Sequence, residues 1–323
     1  MRDFVMKALR SSYRKVFKPE FKGWTWPTAG EREKTNKILH DLLMSDKPCF
    51  VGRMGTVEGA VVLNYLTVHS SKNILQKMGD YITDNTRLPW WDCGKPFYQL
   101  QNNAGFFSDN FSIKEVERFC ELYLSYIPTM DVCGRFSYYE KFLPFQETCE
   151  MVQLETLYPF FVDKPWMEAL RGKKVLVVHP FKETIISQYQ KRKELFPNEN
   201  WLPEFDLKVI KSVQSAAGEK PPFKDWFEAL DSMKTEIDVT DYEIAIVGCG
   251  AYGLPLAGYI KSRNKKVLHI GGGTQLLFGI KGKRWEKQYR DACYRNLFNE
   301  HWVYPDNKET PQNAAKIEGA CYW

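Results

Sequence analysis

The chain has 323 residues, 44% of them hydrophobic and 15% aromatic, and a net charge of +5. That is enough apolar material for one large α/β domain or two tightly joined lobes. The charge is too small to hold a nucleic acid by bulk electrostatics, so no nucleic-acid partner is expected, yet it suits an anionic ligand such as a nucleoside diphosphate.

Residues 1–30 form a basic segment. Arg2, Lys7, Arg10, Arg14, Lys15, Lys18 and Lys22 stand against Asp3 and Glu20, with Phe4, Val5, Ala8, Leu9, Val16 and Phe17 interleaved. Two readings stand: an ordinary solvated first helix, or a basic amphipathic helix in peripheral contact with an anionic membrane. No apolar run approaches the roughly 18 residues of a membrane span, and a signal-peptide core is lacking. The eight cysteines include no C-x-x-C pair and no zinc-ligand spacing. They read as reduced thiols of a cytoplasmic protein, with the inner face of the cell membrane as the surface a basic helix would meet.

Periodicity predicts a helix over 31–46, a buried strand over 49–53 and a helix over 56–68. Residues 81–107, with Pro89-Trp90-Trp91, read as an irregular aromatic binding loop. Ser112 and Glu115 have capping-box spacing and open a helix to about 127. The second half alternates strand and helix: strands over 174–178, 205–211, 243–247 and 266–270, and helices over 183–196, 223–237 and up to about 262. Alternation of this kind predicts a doubly wound, mostly parallel, Rossmann-like α/β sheet. We expect one domain over 31–304, with lobes 31–165 and 166–304 as the alternative division, and a loop-like tail over 305–323.

Val247 to Ile260 carries G-x-G-x-x-G at Gly248, Gly250 and Gly253, after the apolar run 244–247. That context suggests a dinucleotide fingerprint and, with it, an NAD(P)-dependent oxidoreductase. A Rossmann domain, however, ends its next strand in an acid that binds the ribose, and here that strand runs into Gly271-Gly272-Gly273. NAD is therefore not the expected cofactor. What remains is a set of strand ends followed by small, polar or basic residues: Arg53, His179, Gln214, the 248–250 turn, and Gly272 to Gln275. In an open α/β sheet the ligand crevice lies beyond such ends.

Arg53 suits a diphosphate, because its planar guanidinium binds two oxygens. Glu58, in the first turn of the next helix, reads as a general base, a metal ligand, or an acid favoured by the helix dipole. Gly55, Thr56, Tyr252 and Gly273 complete the expected diphosphate-binding turns, with Lys281 and Arg284 as further cations. Asn103, Phe106, His179, Gln214, Gln275 and Trp285 are candidates for sugar or base contacts. Asp131 and Glu155 could supply a further acid, and His269 reads as a core histidine.

GRMGTVEG, residues 52–59, resembles the R-x-G-D-G-E segment of bacterial glycosyltransferases with the GT-D fold. IAIVGCGAYGLPLAGYIKSRNKKVLHIGG and the following FGIKGKRW resemble that family's C-terminal half. The resemblance implies hexosyl transfer from a nucleoside diphosphate sugar, UDP-linked by preference, to a hydroxyl of a surface glycan or glycoprotein glycan, with a lipid-linked acceptor among the options. It also implies a divalent ion, Mn²⁺ or Mg²⁺, on an acidic D-x-E pair. Carried onto this chain, the Glu falls on Glu58 and the Asp on Thr56, so the motif supplies one carboxylate. A non-catalytic nucleotide-sugar-binding protein is the remaining alternative.

Overall fold

The computed structural model describes residues 2–17, 26–196, 201–288, 294–316 and 320–323. Helices α1 (Arg2–Phe17) and α2 (Ala29–Met44) precede β1 (Cys49–Arg53), which leads into α3 (Thr56–His69), α4 (Ile74–Ile82), α5 (Lys95–Asn102) and α6 (Ile113–Tyr126). Strands β2 (Val132–Arg135), β3 (Glu150–Gln153) and β4 (Lys174–His179) follow, then α7 (Lys182–Gln190), α8 (Arg192–Leu195) and β5 (Asp206–Lys211). The described order closes with α9 (Trp226–Asp238), β6 (Ile244–Val247), α10 (Gly253–Ser262), β7 (Lys266–His269) and α11 (Gly273–Leu277).

The seven strands make one sheet, ordered β3-β2-β1-β7-β6-β4-β5, and every pairing is parallel. The doubly wound α/β expectation is met, in an all-parallel form. Successive strand residues face opposite ways, and the burial follows. Phe50, Leu176, Val178, Ala245, Val247 and Val267 join one core with α3, α5, α6, α9 and α10. Cys49, Val51, Val175, Val177, Ile244, Ile246 and Leu268 join another with α2, α7 and the residues of α11. Strands buried on both faces read as unbroken apolar runs, which is why β4 and β6 stand out in the sequence.

The connections place the crevice. After β1 and β6 the chain turns to the α3–α10 face; after β7 and β4 it turns to the other face. Neighbouring strands in the order β1-β7-β6-β4 therefore send their exits apart, and a cleft opens above their carboxyl ends.

Four expectations are corrected. The helix predicted over 183–196 is broken at Lys191, whose N–H turns back to the carbonyls of Gln188 and Tyr189. The box at Ser112 is half formed: Ser112 accepts from the Glu115 N–H, but the Glu115 carboxylate takes the Ser108 hydroxyl at 2.7 Å. A complete capping box forms instead at Thr28 and Glu31. The loop expected over 81–107 is helical over α5, where Pro96 occupies the first turn without losing a needed N–H. Strands β2 and β3 were not foreseen. Lys18 and Lys22 of the basic segment lie outside the described residues. No described helix is long and apolar enough to cross a membrane.

Candidate functional site

A cleft of about 190 Å³ that opens to solvent lies over the carboxyl ends of β1, β4, β6 and β7. Arg53 ends β1 and reaches across to β7. A Cβ built on Gly271 would lie 3.2 Å from its Cδ and Nη1, so guanidinium and glycine turn share one wall. The guanidinium stacks on Phe136 at 4.6 Å. Its Nε is buried with no hydrogen-bond partner among the described residues. Orphaned buried donors are rare, because each forfeits its hydration. Ser212 Oγ, Thr274 Oγ1 and Gln275 Oε1 are similarly buried and unpaired near the same strand ends.

Glu58 stands at the third position of α3, with its carboxylate folded back over the N-cap. A Cβ on Gly55 would meet Glu58 Oε2 at 1.8 Å, so only glycine leaves room for it there. Burial pushes the Glu58 carboxyl up; its own helix N–H and the Arg53 charge pull it back down. Glu58 thus sits in the first turn of α3 and also lines the cleft.

Two histidines face the cleft with opposite polarity. His179 Nδ1 accepts the Phe181 N–H at 3.1 Å, which leaves its proton on Nε2 as a donor. His269 Nδ1 meets the Val247 carbonyl oxygen at 3.2 Å, so Nδ1 carries the proton and Nε2 an open lone pair. Burial pushes both rings down to about 3, with Arg53 adding to the shift at His269, so both are neutral at neutral pH.

The glycine turn is partly structural. Gly253 packs on the His269 ring, where a Cβ would lie 2.1 Å from Cε1. Within the turn, the Ala251 N–H is taken by the Ala104 carbonyl and the Gly248 N–H by Val178. The N–H groups of Gly250, Gly271 and Gly272 donate to no acceptor among the described residues. Tyr252 stacks on Trp226 at 5.0 Å and shares a 3.0 Å hydroxyl contact with Ser215. Beside Gly272, where a Cβ would meet the Tyr322 ring at 2.5 Å, Arg284 sits over that ring at 4.7 Å. The Tyr322 carbonyl accepts from Gln275 Nε2, and Trp323 lies edge-on to Phe181.

Of the residues singled out by sequence, Arg53, Gly55, Thr56, Glu58, Asn103, His179, Gln214, Gly248, Gly250, Tyr252, Gly272, Gln275 and Arg284 line this one cleft. Gly253, Gly273, Lys281, Phe106 and Trp285 do not. Phe106 is fully buried among Phe119, Trp226 and Phe227, and Trp285 is buried against Tyr322. Gly273 packs on Tyr158. Lys281 follows the Ile280–Val303 bridge, donating its N–H to the Val303 carbonyl, with its own carbonyl turned to Gln275. Asp131 bonds Lys261 and the Phe50 N–H at the amino edge of the sheet, and Glu155 is buried beside α2. Neither supplies an acid to the cleft. Sequence reasoning missed Tyr123, Tyr322 and Trp323 as cleft residues, and His269, read as a core histidine, is buried and bonded to Val247 as expected while its ring also lines the cleft. An aromatic pair in a polar tail was the one visible signal.

Glu58 is the single side-chain carboxylate among the described lining residues, and no described group of three or more His, Cys, Asp or Glu side chains could hold a metal. Hard divalent ions take several oxygen ligands, usually charged, so this donor set fits Mn²⁺ or Mg²⁺ poorly. The exit of β7, His269-Ile270-Gly271, also lacks the acid a nicotinamide ribose would need. Compared with known proteins, the chain matches no family model, no curated protein and no solved structure.

Proposed function

We propose that this protein is a glycosyltransferase that moves a hexosyl unit from a nucleoside diphosphate sugar, UDP-linked by preference, to a hydroxyl of a glycan acceptor. The observation that carries the reading is Arg53: a cation without a hydrogen-bond partner among the described residues, opening onto a cleft walled by glycine turns with unspent N–H groups. Such a site wants a compact, multiply charged anion.

In this reading Arg53, Arg284 and the N–H groups of Gly250, Gly271 and Gly272 hold the diphosphate. The sugar carbon's bond to the diphosphate oxygen breaks, and the leaving group departs with the electron pair onto these donors. The acceptor oxygen bonds to that carbon and gives its proton to the Glu58 carboxylate, whose raised pKa suits a base. His179 Nε2–H donates to a phosphate or sugar oxygen, and His269 Nε2 accepts from a sugar hydroxyl.

Thermal-shift titration with a panel of UDP-sugars and with NAD(H) tests the ligand. Stabilisation by NAD(H) and by no nucleotide sugar would reverse the assignment in favour of an oxidoreductase. Donor hydrolysis by wild type and Glu58→Gln tests the chemistry. Equal turnover removes Glu58 from the mechanism, and binding without turnover in either leaves a nucleotide-sugar-binding protein.

A further inference from the structure

Helix α1 turns two different faces outward and inward. Asp3, Met6, Arg10 and Tyr13, spaced three and four residues apart, form the covered stripe. Met6 packs with Tyr81 and Leu88, and Asp3 accepts from Trp90 Nε1 at 2.7 Å. Arg10 and Arg14 both bond the Asp84 carboxylate, which the Tyr139 hydroxyl also reaches at 2.7 Å. These contacts fix the rotation of the helix on the body.

The remaining surface of α1 interleaves large apolar side chains with Arg2, Lys7, Ser11, Ser12, Arg14 and Lys15, all exposed. Phe4, Val5, Leu9, Val16 and Phe17 are exposed by 77%, 48%, 46%, 72% and 66%. Phe4, Val5, Leu9 and Val16 fall away from the covered stripe, and Phe17 ends the helix. Scattered exposed apolar residues mean little, but several large ones on one short helix mark a contact surface. Lys7 and Lys15 stand exposed beside them, with no acid partner among the described residues. The two acids that reach the helix are engaged: Asp3 with Trp90 and Arg2, Asp84 with Arg10 and Arg14. A second copy of the chain fits this face badly, because symmetric pairing would bring its uncompensated lysines together. An anionic bilayer offers both complements at once: acyl carbon for the apolar side chains and headgroup phosphate for the lysines.

We infer that α1 is an interfacial anchor that lays Phe4, Val5, Leu9 and Val16 on an anionic lipid surface, while the Asp84 cluster holds it in fixed orientation on the α/β body. The inference does not depend on the donor chemistry of the cleft. Flotation of the full chain with vesicles of phosphatidylcholine alone, and of an equal mixture of phosphatidylcholine and phosphatidylglycerol, tests it. The wild type is expected to float with the mixed vesicles, less so as salt rises, and hardly with phosphatidylcholine alone. Phe4→Ser/Leu9→Ser/Val16→Ser, which alters only exposed positions, should weaken vesicle binding by about tenfold or more at an unchanged melting temperature. Lys7→Gln/Lys15→Gln should lose the preference for phosphatidylglycerol. Absence of wild-type binding at low salt, or equal binding by the triple variant, overturns the proposal. So does a wild-type dimer that the triple substitution dissolves, which would make this face a self-association surface.

Discussion

Arg53→Gln separates binding from stability, because binding should fall steeply while ligand-free stability hardly changes. In the ligand-free protein the Arg53 Nε is buried and unpaired, so the side chain already bears a desolvation cost that its hydrogen bonds do not offset. Replacing it removes that cost and forfeits the stacking on Phe136, about 0.5–1 kcal/mol. The two nearly cancel, and ligand-free stability should stay within about 1 kcal/mol of wild type. Bound diphosphate is another matter. A hydrogen bond to a charged group contributes about 1.5–3 kcal/mol, so losing the guanidinium should raise Kd for UDP roughly 10- to 150-fold. Arg53→Lys keeps the charge without the fork and should fall between the two. Calorimetric titration with UDP and UDP-sugars reads the first quantity, and thermal melting of the ligand-free proteins the second. UDP binding by Arg53→Gln within about twofold of wild type would refute the reasoning. So would an affinity loss matched by an equal loss of stability, since that would make Arg53 a structural residue.

The other predictions concern Glu58, the histidines and metal dependence. Gly55→Ala forces the Glu58 carboxylate off the N-cap, since the new Cβ would lie 1.8 Å from Oε2; donor turnover should fall toward that of Glu58→Gln, and a wild-type rate would show that this placement is irrelevant. Burial holds His179 and His269 neutral with folded pKa values pushed down to about 3, below the unfolded value of about 6.5. Their contribution is therefore complete above about pH 6.5 and lost as pH falls toward 3, at up to about 1.4 kcal/mol per pH unit for each ring. Glu58, pushed up by burial, acts with the opposite sign, so the comparison is between slopes: urea unfolding of His179→Gln should lose stability less steeply below pH 6.5 than wild type, and parallel slopes would contradict the assignment. With one side-chain carboxylate in the lining, donor turnover should survive chelation; activity lost to EDTA and restored by Mn²⁺ would contradict the fit argued above.

What could be read from sequence was set by where apolar burial is two-sided. β4 and β6 are covered on both faces, so Val175–Val178 and Ile244–Val247 announce themselves as apolar runs. β3 is an edge strand, exposed over Glu150 and Met151, and its four residues carry no pattern that separates them from a loop. β2 contains a glycine, Gly134, because a Cβ there would meet Leu157 Cδ1 at 2.5 Å; that packing demand weakens the strand's own propensity. The carboxyl edge of the sheet was legible because each strand ends where its apolar run ends. Side-chain direction past that point was not. Lys281 and Arg284 are three residues apart, yet only Arg284 reaches the cleft, and Phe106 and Asn103 part in the same way. Tyr322 and Trp323 arrive from a tail with no periodicity at all, placed by the Cys321 carbonyl on the Arg284 N–H and the Tyr322 carbonyl on Gln275.

The arrangement of the cleft argues for a leaving group more than for a reactive centre. Its cations, Arg53 and Arg284, and the glycine N–H groups without acceptors among the described residues are all donors, and they are fixed by stacking and by glycine turns before any ligand arrives. Preorganised donors stabilise developing negative charge most, since they need no reorientation as it forms. The acceptors are directional: Glu58, held over Gly55, His269 Nε2, held by the Val247 carbonyl behind it, and the buried Gln275 Oε1. Both histidines are neutral, so neither adds charge, and each contributes only the polarity its backbone partner imposes. A hydride-transfer site would have to orient a nicotinamide and its ribose, and the strand end that should provide the acid provides a glycine turn packed against Arg53 instead. Under the proposed reading, departure of a diphosphate, with one proton taken by Glu58, would draw on this donor-rich lining.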